Sequence, residues 1–590
     1  MNRKITIPIL LIILLSLASY FNVFQNEFVW DDYIFILDNQ DIRSFSNLPL
    51  FFSQDVDGLY RPLRSLHYTF VYSIAGKNEF FYHFNSLFFH TLISILVFFI
   101  IHEVVGKRNI SLIAALIFAS HPIHTGRVTN ITAGFDLLGI FFMLLAFYLY
   151  IKYSKSYNKN YFLSSLLLFL MAVFSSEEAI ILPLIIILYE FCFNKEKFIN
   201  KKIIINNFVK NYAPFILVGL SFIAIRFFVV GVRGRVEEYL AGNFFLTMLT
   251  MLKVYVYYIY LLIMPINLTL YREVEAVSSL IDFKVIISSL ILISIIFLTI
   301  KFNKNRILFF GVFWFFIALI PFSNILPLQN FMAERYLYVP SFGFSLLVSY
   351  LLITIFNYDF KNIKIKNILR YGIVVFIVLL LGFYVFSTVN RNNDFKDNLT
   401  LWSGTVETNP NNSRAHDNLG FTYEHLGDNE KALEEFGIAV ELQPDNHRAL
   451  ANLGVAYAKL GLYNESIAAL ERSISIQNYH KTHDKLGLVY VELNLEDDAI
   501  ESFKEAIKIN QRYAKAHNDL ATVYGHIGEF DLALLELDEA IRIDKDYADA
   551  HYNLGILLKF LGEENKARKE FKIAYNLEPG NELYRKRLDK

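Results

Sequence analysis

The pattern of hydrophobic and polar positions divides the chain into two parts. Residues 1–389 carry one apolar stretch after another, most of them close to the roughly 20 residues that a helix needs to cross a bilayer core. Residues 413–580 instead place apolar residues at helical spacing between polar ones. We therefore predict an all-α protein with a polytopic membrane helical bundle at 1–389, a linker and half-repeat at 390–412, and an array of helical repeats at 413–590.

Eleven apolar stretches are candidate membrane spans. They lie near residues 5–24, 84–104, 110–126, 131–151, 161–177, 178–193, 212–231, 281–300, 306–321, 340–356 and 370–389. We interpret the first as an uncleaved span rather than a signal peptide, because no clear cleavage site follows it. A further stretch at 244–264 is ambiguous, since Lys253 lies in its middle and Pro265 ends it.

Basic residues in the connections predict the orientation, because cytoplasmic loops are enriched in lysine and arginine. From a cytoplasmic N-terminus, three early basic clusters fall in the cytoplasm, at residues 107–108, 152–159 and 195–210. The basic clusters at 301–306 and 361–370 also fall in the cytoplasm if 244–264 lies along or dips into the outer interface. They fall outside the cytoplasm if 244–264 crosses the membrane. We predict the interfacial placement, which gives eleven spans and an extracytoplasmic repeat array.

Composition narrows the classes of function. The chain of 590 residues is 55% hydrophobic and only 19% charged, below the roughly 25% of a soluble protein. A formal net charge of −1 without a basic stripe excludes electrostatic binding of nucleic acid. The single cysteine, Cys192, excludes disulfides and cysteine-ligated metal sites. The many lysines, isoleucines and asparagines suggest a bacterial protein and hence the cytoplasmic (inner) membrane.

A Leu-Gly or Leu-Ala pair recurs at a nearly fixed period after the last span. The pairs are Leu419-Gly420, Leu453-Gly454, Leu486-Gly487, Leu520-Ala521 and Leu554-Gly555, which lie 34, 33, 34 and 34 residues apart. Small residues at these points let paired helices approach, and an aromatic residue of the second helix fills the remaining gap. The pattern closely resembles five tetratricopeptide repeats, which bind peptides or proteins in a concave groove.

Asparagines recur in the predicted groove just before these pairs, at Asn418, Asn452 and Asn553. A side-chain amide both donates to and accepts from a peptide backbone, so we predict that these residues bind an extended peptide. The alternative is that asparagine is simply a solvated repeat residue here. Lys485 and Asp519 occupy the same position in repeats three and four, and they interrupt any ladder of amides.

Five polar islands lie beside the spans, and the predicted topology places all of them at the outer side. They are Trp30-Asp31-Asp32-Tyr33; Tyr60-Arg61-Pro62-Leu63 with Arg64 and His67; His121-Pro122-Ile123-His124-Thr125 with Arg127 and Asp136; Ser176-Glu177-Glu178; and the run from Ala333 to Ser341. A charge at mid-membrane costs about 2.5–3.5 kcal/mol on insertion scales, so retained charges are candidates for function. Together the islands outline one outward-facing cavity that suits a phosphorylated lipid donor and a hydroxyl acceptor.

Each island alone also has a structural interpretation. Asp31 and Asp32 suit a general base or a divalent-cation site, but also a helix cap. Arg61 matches phosphate oxygens, but also lipid headgroups. His121 and His124 are spaced to share a metal ion, yet no further ligands follow at useful spacing, so hydrogen bonding is the simpler interpretation.

Taken in order, the islands resemble a known family. The motifs that carry the resemblance are Tyr60-Arg61-Pro62-Leu63, His121-Pro122-Ile123-His124-Thr125, Asp136-Leu137-Leu138, Glu178-Ala179-Ile180 and the run from Ala333 to Ser341. They are similar to the transmembrane and tetratricopeptide-repeat-containing proteins, which are protein O-mannosyltransferases of the GT-C class. The resemblance covers essentially the whole chain. It implies about eleven spans, an outer-side active site and a polyprenyl- or dolichyl-phosphate sugar as the donor substrate.

The resemblance also implies roles for individual residues. Asp31 or Asp32 would be the catalytic base, and the repeat array would recruit the acceptor protein, with the groove asparagines as contacts. The residues expected to bind the donor phosphate or sugar are Arg61, His121, His124, Glu178 and Arg335. Glu177 stands where the family usually has lysine, and Arg127 would compensate for that change.

We therefore predict an inverting hexosyltransferase that moves mannose or another hexose from a polyprenyl-phosphate carrier to serine or threonine of extracytoplasmic proteins. Two other classes stay open: a non-catalytic membrane-anchored scaffold, and a ligase or transporter of envelope glycans. An anchor needs one span rather than eleven, and a transporter places charges or broken helices at mid-membrane. A ligase differs from the predicted enzyme only in its acceptor, which the sequence does not identify.

Overall fold

The protein is all-α, as predicted. The computed structural model describes residues 3–588, apart from 57, 195, 197–204, 206, 232–238, 273, 278, 280–281, 329 and 360. Within these residues there is no β-strand, and Val56 and Leu59 form an isolated bridge. The chain forms two compact units, Met1–Pro410 and Asn411–Lys590.

Long apolar helices build the first unit. They are Arg3–Tyr20, Glu79–Val105, Arg108–Ser120, Leu137–Ser156, Lys159–Ser175, Leu182–Phe193, Ala213–Ala224, Phe244–Ile263, Phe283–Lys301, Arg306–Ala318, Ser341–Asn357 and Ile363–Asn392. Shorter helices in the connections are Leu48–Ser53, Pro62–Ala75, Thr125–Val128, Ile131–Gly134 and Asn398–Thr408. Side-chain oxygens at the N-termini start many of them, as when Asn78 accepts from the Phe80 amide (3.1 Å).

Among the described residues, seven helical segments are long and apolar enough to cross a membrane. They are Ile5–Gln25, Glu79–Val105, Ile131–Ser156, Phe208–Phe228, Phe244–Ile263, Phe283–Lys301 and Ile363–Phe395, with four shorter apolar helices at Arg108–Ser120, Lys159–Ser175, Arg306–Phe322 and Ser341–Asn357. The protein is therefore a multi-pass membrane protein, but the count of eleven spans stays a prediction. Most of the basic cluster at 195–210 lies outside the described residues.

The ambiguous stretch at 244–264 forms one helix, Phe244–Ile263. Its C-terminal end accepts a hydrogen bond at the Leu262 carbonyl oxygen from His121 (3.0 Å), which belongs to a polar island. Its N-terminal half meets the same end of the bundle, since Met251 Sδ accepts from Asn324 Nδ2 (3.2 Å) just after the helix Arg306–Ala318. Both halves thus contact connections between other helices, but Phe244–Ile263 is also long and apolar enough to cross a membrane, so its interfacial placement stays a prediction.

Two glycines set the closest helix approach that we find in the first unit, between Arg306–Ala318 and Ser341–Asn357. A Cβ at Gly343 would lie 2.4 Å from the Gly311 carbonyl oxygen, a backbone atom that has no room to move. We expect Gly343→Ala to destabilise the unit by about 1–3 kcal/mol through overpacking. Thermal unfolding in detergent would measure this. Gly372→Ala is the matched control because nothing lies within 4 Å of its added Cβ, and an equal loss in both variants would contradict the packing argument.

The predicted linker at 390–397 is largely helical instead. The helix Ile363–Asn392 runs past residue 389 because its polar end is held by the bundle. Asn392 donates from Nδ2 to the Ser19 carbonyl oxygen (2.9 Å) and accepts at Oδ1 from Thr129 (2.7 Å). The chain continues through two further helices, Asn393–Phe395 and Asn398–Thr408. The predicted half-repeat therefore packs within the first unit, which extends to Pro410.

The second unit contains five helix pairs, one for each predicted repeat. They are Ser413–His425 with Asn429–Leu442, His447–Lys459 with Tyr463–Ile476, His480–Glu492 with Glu496–Ile509, Ala514–His526 with Phe530–Ile543, and Ala548–Phe560 with Glu564–Leu577. The small residues act as predicted. A Cβ at Gly487 would lie 2.7 Å from the Phe503 ring, and one at Gly555 equally close to Phe571, so only glycine admits the ring of the partner helix.

Candidate active site

All five polar islands meet at one end of the membrane unit. They come from different connections of the chain, and each of the other four islands contacts the third island or the residues within its span. The joining contacts are Asp32–Thr132, Arg61–Asp136, Arg127–Glu178 and Arg127–Arg335. The structure thus brings together the groups that the sequence placed on one side of the membrane.

The carboxylate of Asp136 is the centre of this cluster. Its Oδ1 accepts from Arg61 Nη1 (2.8 Å) and Arg64 Nη1 (3.1 Å), and its Oδ2 accepts from Arg127 Nη1 (2.9 Å). Three guanidinium groups around one buried carboxylate form a charge-assisted network that fixes their positions. Arg61, predicted to bind the donor phosphate, is therefore already held by a protein carboxylate.

Glu177 and Glu178 each have an arginine partner. Glu178 Oε1 accepts from Arg127 Nη2, while Glu177 Oε2 pairs with Arg226 Nη1 (2.7 Å). Glu177 Oε1 also lies 3.7 Å from Arg61 Nε. Arg226 lies near the end of a predicted span, and we did not single it out from the sequence. It, rather than Arg127, compensates for the charge of Glu177.

Arg335 differs from the other arginines of the cluster. Its side chain takes part in no ion pair within the described part of the chain, and its guanidinium lies over the rings of Trp30 (5.9 Å) and Tyr336 (5.5 Å). Burial alone would lower the pKa of Arg335, but the nearby Tyr336, Tyr271 and Asp31 hold it above its ordinary value. Arg335 is thus a fixed, half-buried cation without a carboxylate partner in an ion pair.

The two adjacent aspartates are in different environments. Asp32 is fully buried: Oδ1 accepts from the amide and hydroxyl of Thr132 (2.8 and 2.5 Å), and Oδ2 accepts from the Val29 amide (3.0 Å). Burial raises the pKa of Asp32 to about 7, although the hydrogen bonds from Thr132 and Val29 lower it. Asp31 is only partly buried, and its charge acts on Arg335. Asp31 is therefore the more accessible of the two carboxylates and the better candidate to meet a substrate, because Asp32 is fully buried.

His121 and His124 lie in the packed interior rather than in the arginine cluster. His121 Nδ1 accepts from the Ile123 amide (3.2 Å), so its Nε2 carries the proton and donates to the Leu262 carbonyl oxygen (3.0 Å). His124 Nε2 bonds with Ser341 Oγ (2.8 Å). Both rings are fully buried. These contacts match the hydrogen-bonding interpretation, not the predicted binding of the donor.

Glu334, which precedes Arg335 in the sequence, is a buried carboxylate like Asp32 and Asp136. Its Oε1 accepts from the Thr269 amide (2.5 Å), and its Oε2 lies 3.8 Å from Arg391 Nη2. Burial raises the pKa of Glu334 to about 7, while Arg391 and the Thr269 amide lower it. Glu334 therefore holds two loops together: its own, which also contains Arg335, and the loop that follows the helix Phe244–Ile263.

The residues described offer no group of three or more histidine, cysteine, aspartate or glutamate side chains arranged to hold a metal ion. Asp31 and Asp32 also do not fit the open alternative of a shared divalent cation. Three protein donors already occupy the oxygens of Asp32, so the pair does not present two carboxylates to one ion.

The groove asparagines of the second unit are engaged with their own chain. Asn452 donates to Asp417 Oδ1 (2.8 Å) and accepts from Lys485 Nζ (2.8 Å), which uses both ends of its amide. Asn418 donates to the Arg414 carbonyl oxygen (2.8 Å). Asn553 likewise donates to Asn518 Oδ1 (2.9 Å) in the preceding repeat. Asn452 and Asn553 thus link neighbouring repeats, and Asn418 bonds within its own helix. The three residues do not present a row of unused amides.

Comparison with known sequences bears on this arrangement. The family model "Dolichyl-phosphate-mannose-protein mannosyltransferase" matches residues 62–224, which contain Arg64, Arg127, Asp136 and Glu178 of the cluster. Tetratricopeptide-repeat models match 418–480, 480–513, 526–562 and 548–581. Protein O-mannosyl-transferase F38B6.6 of Caenorhabditis elegans is 26% identical over 71% of this chain and 60% of its own length. Protein O-mannosyl-transferase TMTC3 of Mus musculus is 27% identical over 72% and 50%.

The chain is thus similar to protein O-mannosyl-transferases over most of its length, and tetratricopeptide repeats follow the part that the mannosyltransferase model matches. The resemblance predicted from the islands is thereby confirmed. The chain spans about half to three fifths of the length of the curated relatives above. Among solved structures, MamA is 26% identical over 27% of this chain and 95% of its own (TM-score 0.25), and the tetratricopeptide protein YrrB is 21% identical over 32% and 98% (TM-score 0.25).

Proposed function

We propose that the protein is a GT-C-type glycosyltransferase that moves a hexose, such as mannose, from a polyprenyl-phosphate carrier to a serine or threonine hydroxyl of an extracytoplasmic protein. The observation that carries the proposal is that Asp31 and Arg335 converge on Trp30. The partly buried Asp31 follows Trp30 directly, and the Arg335 guanidinium, which lies outside the ion-pair network of the described residues, lies on the Trp30 ring (5.9 Å). The names of its homologues support the reaction class.

The chemistry needs a base and a fixed cation. Asp31 takes the proton of the acceptor hydroxyl, whose oxygen forms the new bond to the anomeric carbon of the sugar. The bond from that carbon to the phosphate oxygen breaks, and polyprenyl phosphate leaves with the electron pair. Arg335 stabilises the charge on the leaving phosphate, which therefore needs no proton donor. A single displacement inverts the anomeric centre, so a product that keeps the configuration of the donor would contradict this mechanism.

The other polar groups position the donor and take no part in bond making or breaking. Asp136 holds Arg61, Arg64 and Arg127 in place. These three arginines outnumber their carboxylate partners Asp136 and Glu178 by one, so one net positive charge remains near Arg335. Such preorganised charge attracts an anionic lipid headgroup to the site. We further propose that the repeat unit holds acceptor proteins, in keeping with the peptide and protein binding typical of tetratricopeptide repeats, but through groups other than the engaged asparagines.

Co-expression with envelope proteins tests the proposal in cells. Intact-mass spectrometry of those proteins would show a gain of one or more hexose masses that depends on the wild-type chain. The gain should disappear with Asp31→Asn at matched expression. Absence of any gain with the wild type would count against protein as the acceptor.

Arg335→Lys is expected to raise the KM for the lipid donor by about 10–100-fold, the equivalent of one charge-assisted hydrogen bond. Lysine keeps the charge but not the planar fork that matches two phosphate oxygens. Transfer rates at a series of donor concentrations would measure the change. Arg43→Lys is the control, because that exposed residue of the first outer loop contacts only the Leu37 carbonyl oxygen. An unchanged KM in Arg335→Lys would remove Arg335 from the donor site.

A further inference from the structure

The chain segment that follows the last long helix packs against the loop that carries the candidate base. The Glu27 amide donates to the Lys396 carbonyl oxygen (2.8 Å), and the Trp30 amide donates to Asn398 Oδ1 (2.9 Å). These two contacts join residues that lie far apart in sequence. They belong to the helix Asn398–Thr408 and the turn before it, which we call the connecting helix, and both lie in the first unit.

The aromatic face of the connecting helix covers the same loop. Trp402 is almost fully buried, and its ring meets Trp30 edge-on (6.1 Å between centroids) and stacks on Tyr271 (6.1 Å). Trp30 and Tyr271 also meet edge-on (5.4 Å). Three large rings thus pack together, and the Arg335 guanidinium lies on the Trp30 ring.

Trp30 is held in an unusual conformation. Its φ of 53° lies in the left-handed region, which a bulky residue adopts only when its surroundings enforce it. Asn398 binds its amide and Trp402 holds its ring, so the connecting helix supplies contacts that enforce this conformation. Asp31 follows Trp30 directly, so the backbone angle at Trp30 decides where the Asp31 carboxylate lies.

We infer that Asn398 and Trp402 are positioning residues: through Trp30 they set the distance between the Asp31 carboxylate and the Arg335 guanidinium. The inference rests on the proposed function for the roles of Asp31 and Arg335. Neither positioning residue belongs to a polar island or touches the arginine cluster. Asn398 acts on the backbone and Trp402 on the ring, so removal of either contact lets the loop relax to an ordinary φ and moves Asp31.

Kinetics of reconstituted full-length protein test this with Asn398→Ala. A displacement of about 1 Å at the reacting groups costs up to about 100-fold in rate, so kcat should fall about tenfold or more while the KM for the donor stays close to that of the wild type. Asn398→Asp keeps an oxygen acceptor at the same place and should restore most of kcat. Ser403→Ala is the control on the same helix, since that exposed hydroxyl bonds only within its own helix turns.

A second readout does not depend on transfer. Cys192 is the only cysteine of the chain and is buried, so Asp31→Cys can be labelled from outside with a membrane-impermeant maleimide against a low background. Adding Asn398→Ala or Trp402→Ala should change the labelling rate of that cysteine severalfold, whereas Ser403→Ala should not. An unchanged labelling rate, or a loss of kcat that merely follows the folded fraction, would overturn the inference. If the wild type transfers no sugar, the proposed function fails, and the labelling rates alone decide whether the connecting helix positions residue 31.

Discussion

Replacing Asp31 with asparagine is expected to slow sugar transfer by about 10²–10⁴-fold, the usual contribution of a positioned general base. A serine or threonine hydroxyl is a poor nucleophile unless its proton is removed as the new bond forms. Asparagine keeps the shape of the side chain but cannot accept that proton. Because Asp31 is only partly buried, the variant should fold like the wild type. The rate of hexose transfer to protein, at matched amounts of folded enzyme, measures the effect.

Two neighbouring aspartates serve as controls for this prediction. Asp38→Asn changes an exposed carboxylate of the same loop and should leave the rate unchanged. Asp32→Asn should instead reduce stability by about 1–3 kcal/mol, because an amide cannot accept from both Thr132 and the Val29 amide, and one buried donor is left unpaired. Wild-type activity in Asp31→Asn together with a folded, inactive Asp32→Asn would reverse our assignment of the base.

The second large effect concerns the centre of the arginine cluster. Asp136→Asn should destabilise the membrane unit by about 3–5 kcal/mol, the usual result of removing one partner from a buried ion pair. Arg61, Arg64 and Arg127 would lose their shared negative charge while remaining close together. The apparent melting temperature in detergent and the folded fraction after size-exclusion chromatography measure this loss.

Asp359→Asn is the matched control for Asp136→Asn. Asp359 pairs with Lys366 (2.5 Å), but its side chain is 86% exposed, and exposed ion pairs contribute little to stability because water screens them. Each variant therefore removes one carboxylate charge, from a buried site in Asp136→Asn and from an exposed site in Asp359→Asn. Equal melting temperatures for the two would show that the arginine cluster contributes little to stability.

The fold followed from the hydrophobic pattern because length and period are local properties of a sequence. Apolar stretches of about 20 residues and a period near 34 residues identify helices and repeats without knowledge of their contacts. That the first residues of the predicted linker and half-repeat at 390–412 continue the last long helix was not predictable, for a non-local reason. Residues 390–397 are polar, yet Asn392 and its neighbours continue the helix because partners such as Ser19 and Thr129, distant in sequence, satisfy their side chains.

The sequence predicted that the polar islands form one site, but it did not predict which side chains contact each other within that site. The sequence placed Asp31 and Asp32 together, while the difference between them depends on which side chain turns towards Thr132. Arg226 escaped notice because it lies alone near the end of an apolar stretch. The side chains of the histidines and groove asparagines could hydrogen-bond a ligand. In the structure they instead bond to other groups of the same chain.

The most direct test of the central claim is transfer by the purified full-length protein in lipid vesicles. The vesicles would contain a polyprenyl-phosphate hexose with a radiolabelled sugar, and an unglycosylated secreted protein would be the acceptor. We predict label on the protein that is released by β-elimination, as expected for a sugar on serine or threonine, and that is lost with Asp31→Asn. Label that stays on the lipid with the wild-type chain, or that reaches the protein equally with Asp31→Asn, would contradict the account.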